Sequence, residues 1–479
     1  MLGTLALAVV NVLKLGLQLA VLPILARLLG PSAFGLVALA MPLILIANML
    51  ADVGLGNALV REKGSSRELE STIFWLSLLV SVTLAAIVSL LAWPMSRIMS
   101  QPGLTPIVIA LTVILPIGGS LSVSNARISR EGKFSLFAAG EVVATLVSSA
   151  AAIGAALAGF GPWSLVIQQC VLWVLKASWL IPASGFRPML YCRPALVWPY
   201  LHFGLHSVGA NLANLANKNL PTMVIGGLIG VVAAGHYSMA YQLVRVPELI
   251  ISGPLYLSIF AGVAQWGDDR VGARPLVLKG LRGLMIVLAP AFCGLALLAG
   301  LIVKLLLGST WLGTAPILTW LAPAGFFLCL YSFIGAALMG LGRSAEQFRL
   351  VLLSGVLLGA GTVIGARYGG VGVAAGFSLG AALAAPVYLR TLSRQLLIST
   401  HAIASEILAP IVATLAMVLA ISVLRREIGA WDPWLQLVAL VLCGLVSFSS
   451  VLAAISWRRL WEDLHWLLAA NRNVPAELP

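Results

Sequence analysis

Val10-Asn11-Val12-Leu13-Lys14-Leu15-Gly16-Leu17-Gln18 has a counterpart two hundred residues later, Ala210-Asn211-Leu212-Ala213-Asn214-Leu215-Ala216-Asn217-Lys218. Asn11, Lys14 and Gln18 stand at i, i+3 and i+7, and so do Asn211, Asn214 and Lys218. On a helix of 3.6 residues per turn each set lies on one face of an otherwise apolar segment. The same offset aligns Gly30 with Gly230, Gly35 with Gly235 and Ala40 with Ala240. Across 1–48 against 201–248 nine positions are identical, several of them leucines that carry little information in so apolar a chain. The asparagine, the two glycines and the shared stripe carry the likeness. A second echo joins Gly159-Phe160-Gly161-Pro162-Trp163 to Gly370-Val371-Gly372-Val373-Ala374.

Composition says where such a repeat lives. Of 479 residues 60% are apolar and 9% charged, with a mean hydropathy of +1.03. A water-soluble fold has no way to hide that much apolar surface. In lipid only helices or closed barrels satisfy the backbone, and apolar runs of roughly 20 residues choose helices. The expected fold is an all-α polytopic membrane protein of about fourteen spans. They lie near 3–26, 34–60, 72–92, 104–124, 136–157, 162–182, 203–229, 234–260, 282–303, 314–340, 350–366, 371–389, 404–423 and 434–456. The organisation expected is a six-helix bundle over 1–182, a cytoplasmic linker over 183–200, and a second six-helix bundle over 201–392. An extra helix pair over 404–456 and a cytoplasmic tail over 457–479 complete it. Both bundles begin on the same side, so the repeats are parallel, with an axis along the membrane normal.

Charge tests the set. With the N-terminus cytoplasmic, the inner loops hold 19 of the 29 Lys and Arg and the outer loops 6. That asymmetry supports span count and orientation together, with both termini cytoplasmic. It also accounts for the net charge of +13 without a nucleic-acid partner. Five cysteines, odd in number and never in CxxC spacing, read as small apolar core residues and not as disulfides or a metal site. Met1 starts almost flush with the first span, without a basic leader or cleavage site, an arrangement that also fits a start codon upstream.

A charged side chain at the bilayer centre costs roughly 2.5–3.5 kcal/mol, so such groups belong in a wet interior. Lys14, Lys218 and Arg245 lie near the middle of their spans, as does Glu248, while Asp52 sits nearer the cytoplasmic end of span two. Asn48 with Asp52 and Arg245 with Glu248 share helix faces at equivalent places in the repeat. Three cations against two carboxylates leave a positive interior suited to an anion, with Asn11, Gln18, Asn211 and Asn214 placed to bond hydroxyls. Asp52 and Glu248 would couple transport to an ion or serve as structural pairs; Arg245 and Glu248 also read as a self-neutralising pair. Lys176 is expected to snorkel to the cytoplasmic face and Glu141 to sit at the rim. Gly376-Phe377-Ser378-Leu379-Gly380 fits a nucleophile-elbow pattern, but without a preceding strand it reads better, with Gly372, as GxxxGxxxG packing. No HExxH and no GxxxxGK[ST] occurs, so no zinc or ATP chemistry and no cofactor is expected.

Ala26-Arg27-Leu28-Leu29-Gly30-Pro31, then Phe34-Gly35-Leu36, Asp52-Val53-Gly54-Leu55 and Ala58-Leu59-Val60 resemble the start of a polysaccharide transporter of the oligosaccharide (O-antigen, Wzx-type) flippase family. Gly161-Pro162-Trp163-Ser164-Leu165-Val166 is similar to that family's approach to span six. The chain departs from the family in lacking a basic N-terminal tail and in its Arg127-Ile128-Ser129-Arg130 loop. The resemblance implies membership of the superfamily of multidrug extruders and lipid II flippases, with two six-helix bundles around a central cavity. It implies an undecaprenyl pyrophosphate-linked oligosaccharide as substrate, turned across the bacterial inner membrane by alternating access, for exopolysaccharide or lipopolysaccharide synthesis. Membrane lipids, a polysaccharide polymerase and a chain-length regulator would be its partners. Two rivals stand beside it. A multidrug extruder would show an acidic cavity and usually twelve spans, and a membrane-embedded polymerase or ligase would need a long catalytic outer loop.

Overall fold

The computed structural model describes residues 2–52, 56, 59, 66–193, 196–197, 215, 218–267 and 269–472, with the backbone alone for 2–15, 52, 134, 251, 252, 254 and 458–472. No strand occurs among them. The helices are α1 (Leu2–Asp52), α2 (Arg67–Ile98), α3 (Leu104–Thr112), α4 (Ile114–Arg130), α5 (Phe134–Leu157), α6 (Trp163–Ala183) and α7 (Val231–Ala264). They continue as α8 (Arg274–Leu297), α9 (Ala299–Leu306), α10 (Thr314–Gly340), α11 (Ser344–Gly365), α12 (Gly369–Leu396), α13 (Thr400–Glu427) and α14 (Pro433–Arg472). Residues 218–228 are also helical and lead into Gly230.

Eleven stretches among the described residues are long and apolar enough to cross a membrane. Two of them hold two spans each. Gly16–Ala51 breaks at Gly30 (φ 70°, ψ 174°), and Ser344–Leu396 breaks at the tight turn Ala366–Tyr368 before Gly369 (φ 77°). With the helix that ends at Gly230, the pattern is that of about fourteen spans, as expected from the sequence. The Gly30 break follows from local chemistry. A left-handed residue after the last turn suits glycine, and Pro31 at the first position of the next helix gives up an N–H that had no partner to lose.

Boundaries moved where polar residues sit inside helices. Span four, expected to end near 124, continues through Arg127 to Arg130, and span three begins at Arg67. Arg127 and Arg130 lie in the last turn of α4, where cations complement the exposed carbonyls. α14 runs past 456 to Arg472 after a kink at Ser456 (φ −130°, ψ 18°). Outward apolar side chains are abundant, including Leu90 at 76% and Leu157 at 71% exposure, as lipid-facing helices require.

The described chain sorts into two compact units. The first contains 1–239, 306–313 and 362–373. In it α1 packs against α2, α3, α4 and α5, and α5 against α6. The linker after α6 is laid along the start of α2: Trp75 donates to the Met189 carbonyl at 2.8 Å, and the Met189 amide donates to Ser71 Oγ at 3.1 Å. Phe186 joins Leu69, Ile73, Val123 and Ala126 in one apolar cluster. Cys192, also in the linker, is exposed and is no core residue, whereas Cys329 is buried.

The two-hundred-residue repeat appears within this unit as a reciprocal contact. A Cβ on Gly35 would fall on the Val231 carbonyl oxygen, and a Cβ on Gly235 would fall on the Pro31 carbonyl oxygen. Positions 31 and 231, and 35 and 235, stand two hundred residues apart, so each corner abuts the counterpart of the other. Trp311, fully buried, donates its indole N–H to the Ala26 carbonyl at 2.8 Å and stacks edgewise on Phe34 and His236. Arg27 in turn donates to the Leu306 carbonyl at 3.1 Å. Helix ends leave carbonyls without donors, and here each end supplies the other's.

The second unit contains 240–305, 314–361 and 374–479. α10 is its most enclosed span, with 72% of its apolar window buried. α13 and α14 pack together on α8 through Met417, Ile421, Leu440 and Phe448, joined by Leu298 after α8. An ion pair between Arg282 and Glu406, each 12% exposed, ties α13 to α8. Arg274 caps the Leu396 carbonyl at 2.8 Å and Arg425 the Leu297 carbonyl at 3.1 Å, so some cations counted as loop charge also close helix ends. The glycine reading of spans eleven and twelve holds: a Cβ on Gly361 would strike the Gly376 carbonyl and one on Gly380 the Leu357 carbonyl. Ser378 sits within α12 and donates to the Trp320 carbonyl at 2.5 Å.

Candidate functional site

Within the first unit, α1, α4 and α6 enclose a cleft of about 390 Å³. The second leg of α1 supplies Leu45, Asn48 and Met49, joined by Gly56. α4 supplies Gly118, Ser122, Asn125, Ala126 and Ser129, and α6 supplies Trp173. Positions 118, 122, 125 and 129 follow i, i+4, i+7 and i+11, one continuous stripe of a helix. Gly118 is small for a reason: a Cβ there would press on the Asn48 carboxamide. The lining therefore offers two amides, two hydroxyls and an indole, and no charge. Ser122 Oγ and Asn125 Oδ1 are buried without a hydrogen-bond partner. Such groups carry a desolvation cost of about 1–3 kcal/mol that a ligand or water relieves.

Charges gather beside the cleft. Glu70, 2% exposed, meets Arg130 at 3.2 Å and Arg127 at 3.8 Å, joining the start of α2 to the end of α4. Beyond α4, Lys133 bonds the Glu131 carboxylate at 2.6 Å, and that bond holds the Glu131 carboxyl below the usual carboxylate range. Glu141 of α5 and Lys176 of α6 form an ion pair at 2.5 Å, with side chains 11% and 16% exposed. The Lys176 ammonium also lies 5.5 Å from the centre of the Trp173 ring. From the sequence the two residues stand separately; complementary single charges in two adjacent spans are the signal that could have paired them.

The residues singled out from the sequence fall unevenly. The side chains of Asn11, Lys14 and Asp52, and Asn211 and Asn214 altogether, lie outside the described residues. Gln18 is exposed and Lys218 half-buried in the first unit. In the second unit Arg245 is exposed and Glu248 half-buried on α7. Tyr241, one turn before Arg245, has a buried hydroxyl without a hydrogen-bond partner. Asn48 is the one residue of the earlier argument found in the cleft. Asn125 and Ser129 went unnoticed because Arg127 and Arg130 made the end of span four look like a loop, and Ser122 and Trp173 because neutral side chains within a span carry no charge signal. Among the described residues no three His, Cys, Asp or Glu gather as a metal site.

Residues 24–316 match the profile of a family described as polysaccharide biosynthesis protein. The succinoglycan biosynthesis transport protein ExoT of Rhizobium meliloti (strain 1021) is 27% identical over 341 residues, covering 71% of this chain and 69% of that protein. The lipopolysaccharide biosynthesis protein WzxC of Escherichia coli (strain K12) is 26% identical over 382 residues, 78% of this chain and 76% of that one. Among solved structures, lipid II flippase MurJ in an inward closed conformation superposes with a TM-score of 0.77 at 14% identity, covering 96% of this chain and 99% of its own. An inward-facing multidrug resistance MATE family transporter gives a TM-score of 0.63 at 17% identity, over 81% and 98%.

Proposed function

Since this chain belongs to the polysaccharide biosynthesis protein family, we propose that it is a flippase that carries undecaprenyl pyrophosphate-linked oligosaccharide repeat units across the bacterial inner membrane. The observation that carries the reading is the long match to a protein named for succinoglycan transport. The all-helical architecture of about fourteen spans supports it. The substrate class has an anionic head group, a polar sugar chain and a lipid tail. Lys14, Lys218 and Arg245 would hold the pyrophosphate, with Asn11, Gln18, Asn211 and Asn214 bonding hydroxyls; Asp52 and Glu248 would couple an ion or balance charge.

The two bundles, 1–182 and 201–392, would part alternately on either side of the membrane while the tail stays in lipid. An anion leaving an inside-negative cell moves down the potential, worth about 2.3 kcal/mol per charge per 100 mV. No nucleotide is needed for that step. Both termini would be cytoplasmic, and polymerase and chain-length regulator would act on the product.

The test is to replace Lys14, Lys218 and Arg245 singly with alanine and measure surface polysaccharide at equal protein level. A charge-assisted bond is worth roughly 1.5–3 kcal/mol, so each loss lowers export about tenfold or more at limiting substrate. Normal export by all three variants removes the cationic cradle from the account.

A further inference from the structure

The flippase reading gives the sugar hydroxyls amide partners but no aromatic surface for a ring. We propose that the cleft between α1, α4 and α6 is a sugar-binding subsite, in which Trp173 stacks on a pyranose ring and Asn48, Ser122, Asn125 and Ser129 bond its hydroxyls. The inference rests on the flippase reading, and it assigns the carbohydrate to residues apart from the cations proposed for the pyrophosphate.

The lining sets the ligand chemistry. Among the described residues its polar members are two carboxamides and two hydroxyls, and none of them is ionised. Among those residues a phosphate finds no counter-charge, whereas a polyol needs donors and acceptors at once, which a carboxamide supplies. The cleft, about 390 Å³, lies in the roughly 300–1,000 Å³ range of small-molecule sites. One sugar residue therefore has room, and the whole repeat unit need not fit. Ser122 Oγ and Asn125 Oδ1, on two residues of the lining, are buried without a hydrogen-bond partner, so a polar group that reached them would relieve their desolvation. Water alone would satisfy them, but water has no use for an aromatic wall. The C–H face of a pyranose does.

Trp173 is held in place for that task. On one side it packs against the cluster of Leu121, Ile128 and Leu180. The Lys176 ammonium lies 5.5 Å from its ring centre, and that lysine is itself fixed by Glu141 at 2.5 Å. The neighbouring arginines are directed elsewhere, Arg127 and Arg130 both engaging Glu70. The charged groups thus brace the cleft without entering it. An indole locked by packing and a cation binds a ring with little loss of side-chain freedom, the advantage of preorganisation.

The experiment uses the full chain in sealed vesicles and two probes. One is the labelled lipid-linked repeat-unit pool extracted from the source bacterium; the other is labelled undecaprenyl pyrophosphate without sugar. Leaflet transfer is measured against probe concentration for wild type, Trp173→Leu, Trp173→Phe, Ser122→Ala and Asn125→Ala, with thermal midpoints confirming the fold. Trp173→Leu and Asn125→Ala should each raise the half-saturating concentration of the glycosylated probe about tenfold and leave the maximal rate within about twofold. Trp173→Phe, which keeps an aromatic face, should stay within about threefold of wild type, and Ser122→Ala should fall between. Transfer of the sugar-free probe should be unchanged in all four. Unaltered half-saturation for the glycosylated probe in both Trp173→Leu and Asn125→Ala overturns the subsite while the flippase reading stands. Equal loss with both probes overturns it as well, since the cleft would then act on the common lipid pyrophosphate. A wild-type protein that moves neither probe takes both proposals down.

Discussion

Gly35→Ala is expected to cut export to below about a tenth of wild type, and Gly235→Ala to do the same. Each new methyl group would meet a backbone carbonyl oxygen, that of Val231 in one case and Pro31 in the other. A carbonyl in a helix has no rotamer in which to step aside, so the two corners must separate. Overpacking of this kind costs typically 1–3 kcal/mol, and each 1.4 kcal/mol is a tenfold change in a conformational equilibrium. Under alternating access the cost falls on the conformation that joins these corners, not on the fold as a whole. Its sign is therefore visible in accessibility. In a cysteine-free background carrying Ala234→Cys, a position with 0% exposure, the impermeant thiol reagent should react at least about tenfold faster once Gly35→Ala is added. Unchanged labelling and unchanged export together would show that the reciprocal contact closes nothing.

Lys176→Met should be the most destabilising single substitution among the intramembrane charges. Glu141 and Lys176 are mutually satisfied at 2.5 Å, with little exposure on either side. Removing one partner of such a pair costs about 3–5 kcal/mol because the remaining charge stays in an apolar surround. Replacing both at once is far cheaper. The double variant Glu141→Gln with Lys176→Met should recover most of the loss, and the mismatch between single and double costs measures the coupling. Thermal midpoints of the purified proteins in detergent check this. A cycle in which the two single losses simply add would mean that the contact contributes nothing.

Much of the architecture was legible from the chain because the bilayer simplifies the code. Length and hydropathy place the spans. Gly30 and Gly230 were visible as a repeat, and both adopt the left-handed backbone that glycine tolerates. Their reciprocal partners were not visible, since carbonyl positions are tertiary facts without a side-chain signature. The functional chemistry was harder to see. Charge alone drew attention to Lys14, Lys218 and Arg245, while the neutral stripe of Gly118, Ser122, Asn125 and Ser129 passed unnoticed. Arg127 and Arg130 were read as loop residues, although a carboxylate two spans' distance away in sequence, Glu70, lets them remain in a helix. The partner of Lys176 was invisible for a similar reason: it belongs to another helix.

Everything proposed here depends on this chain moving a lipid-linked sugar between leaflets. The most direct measurement places the purified protein in sealed vesicles with a labelled lipid-linked repeat unit confined to one leaflet, then follows its appearance on the other with an impermeant glycosidase. Transfer that requires the protein, and that quickens when the receiving side is made electrically positive, is the predicted result. Rates equal to those of protein-free vesicles, with or without an imposed potential, would contradict it.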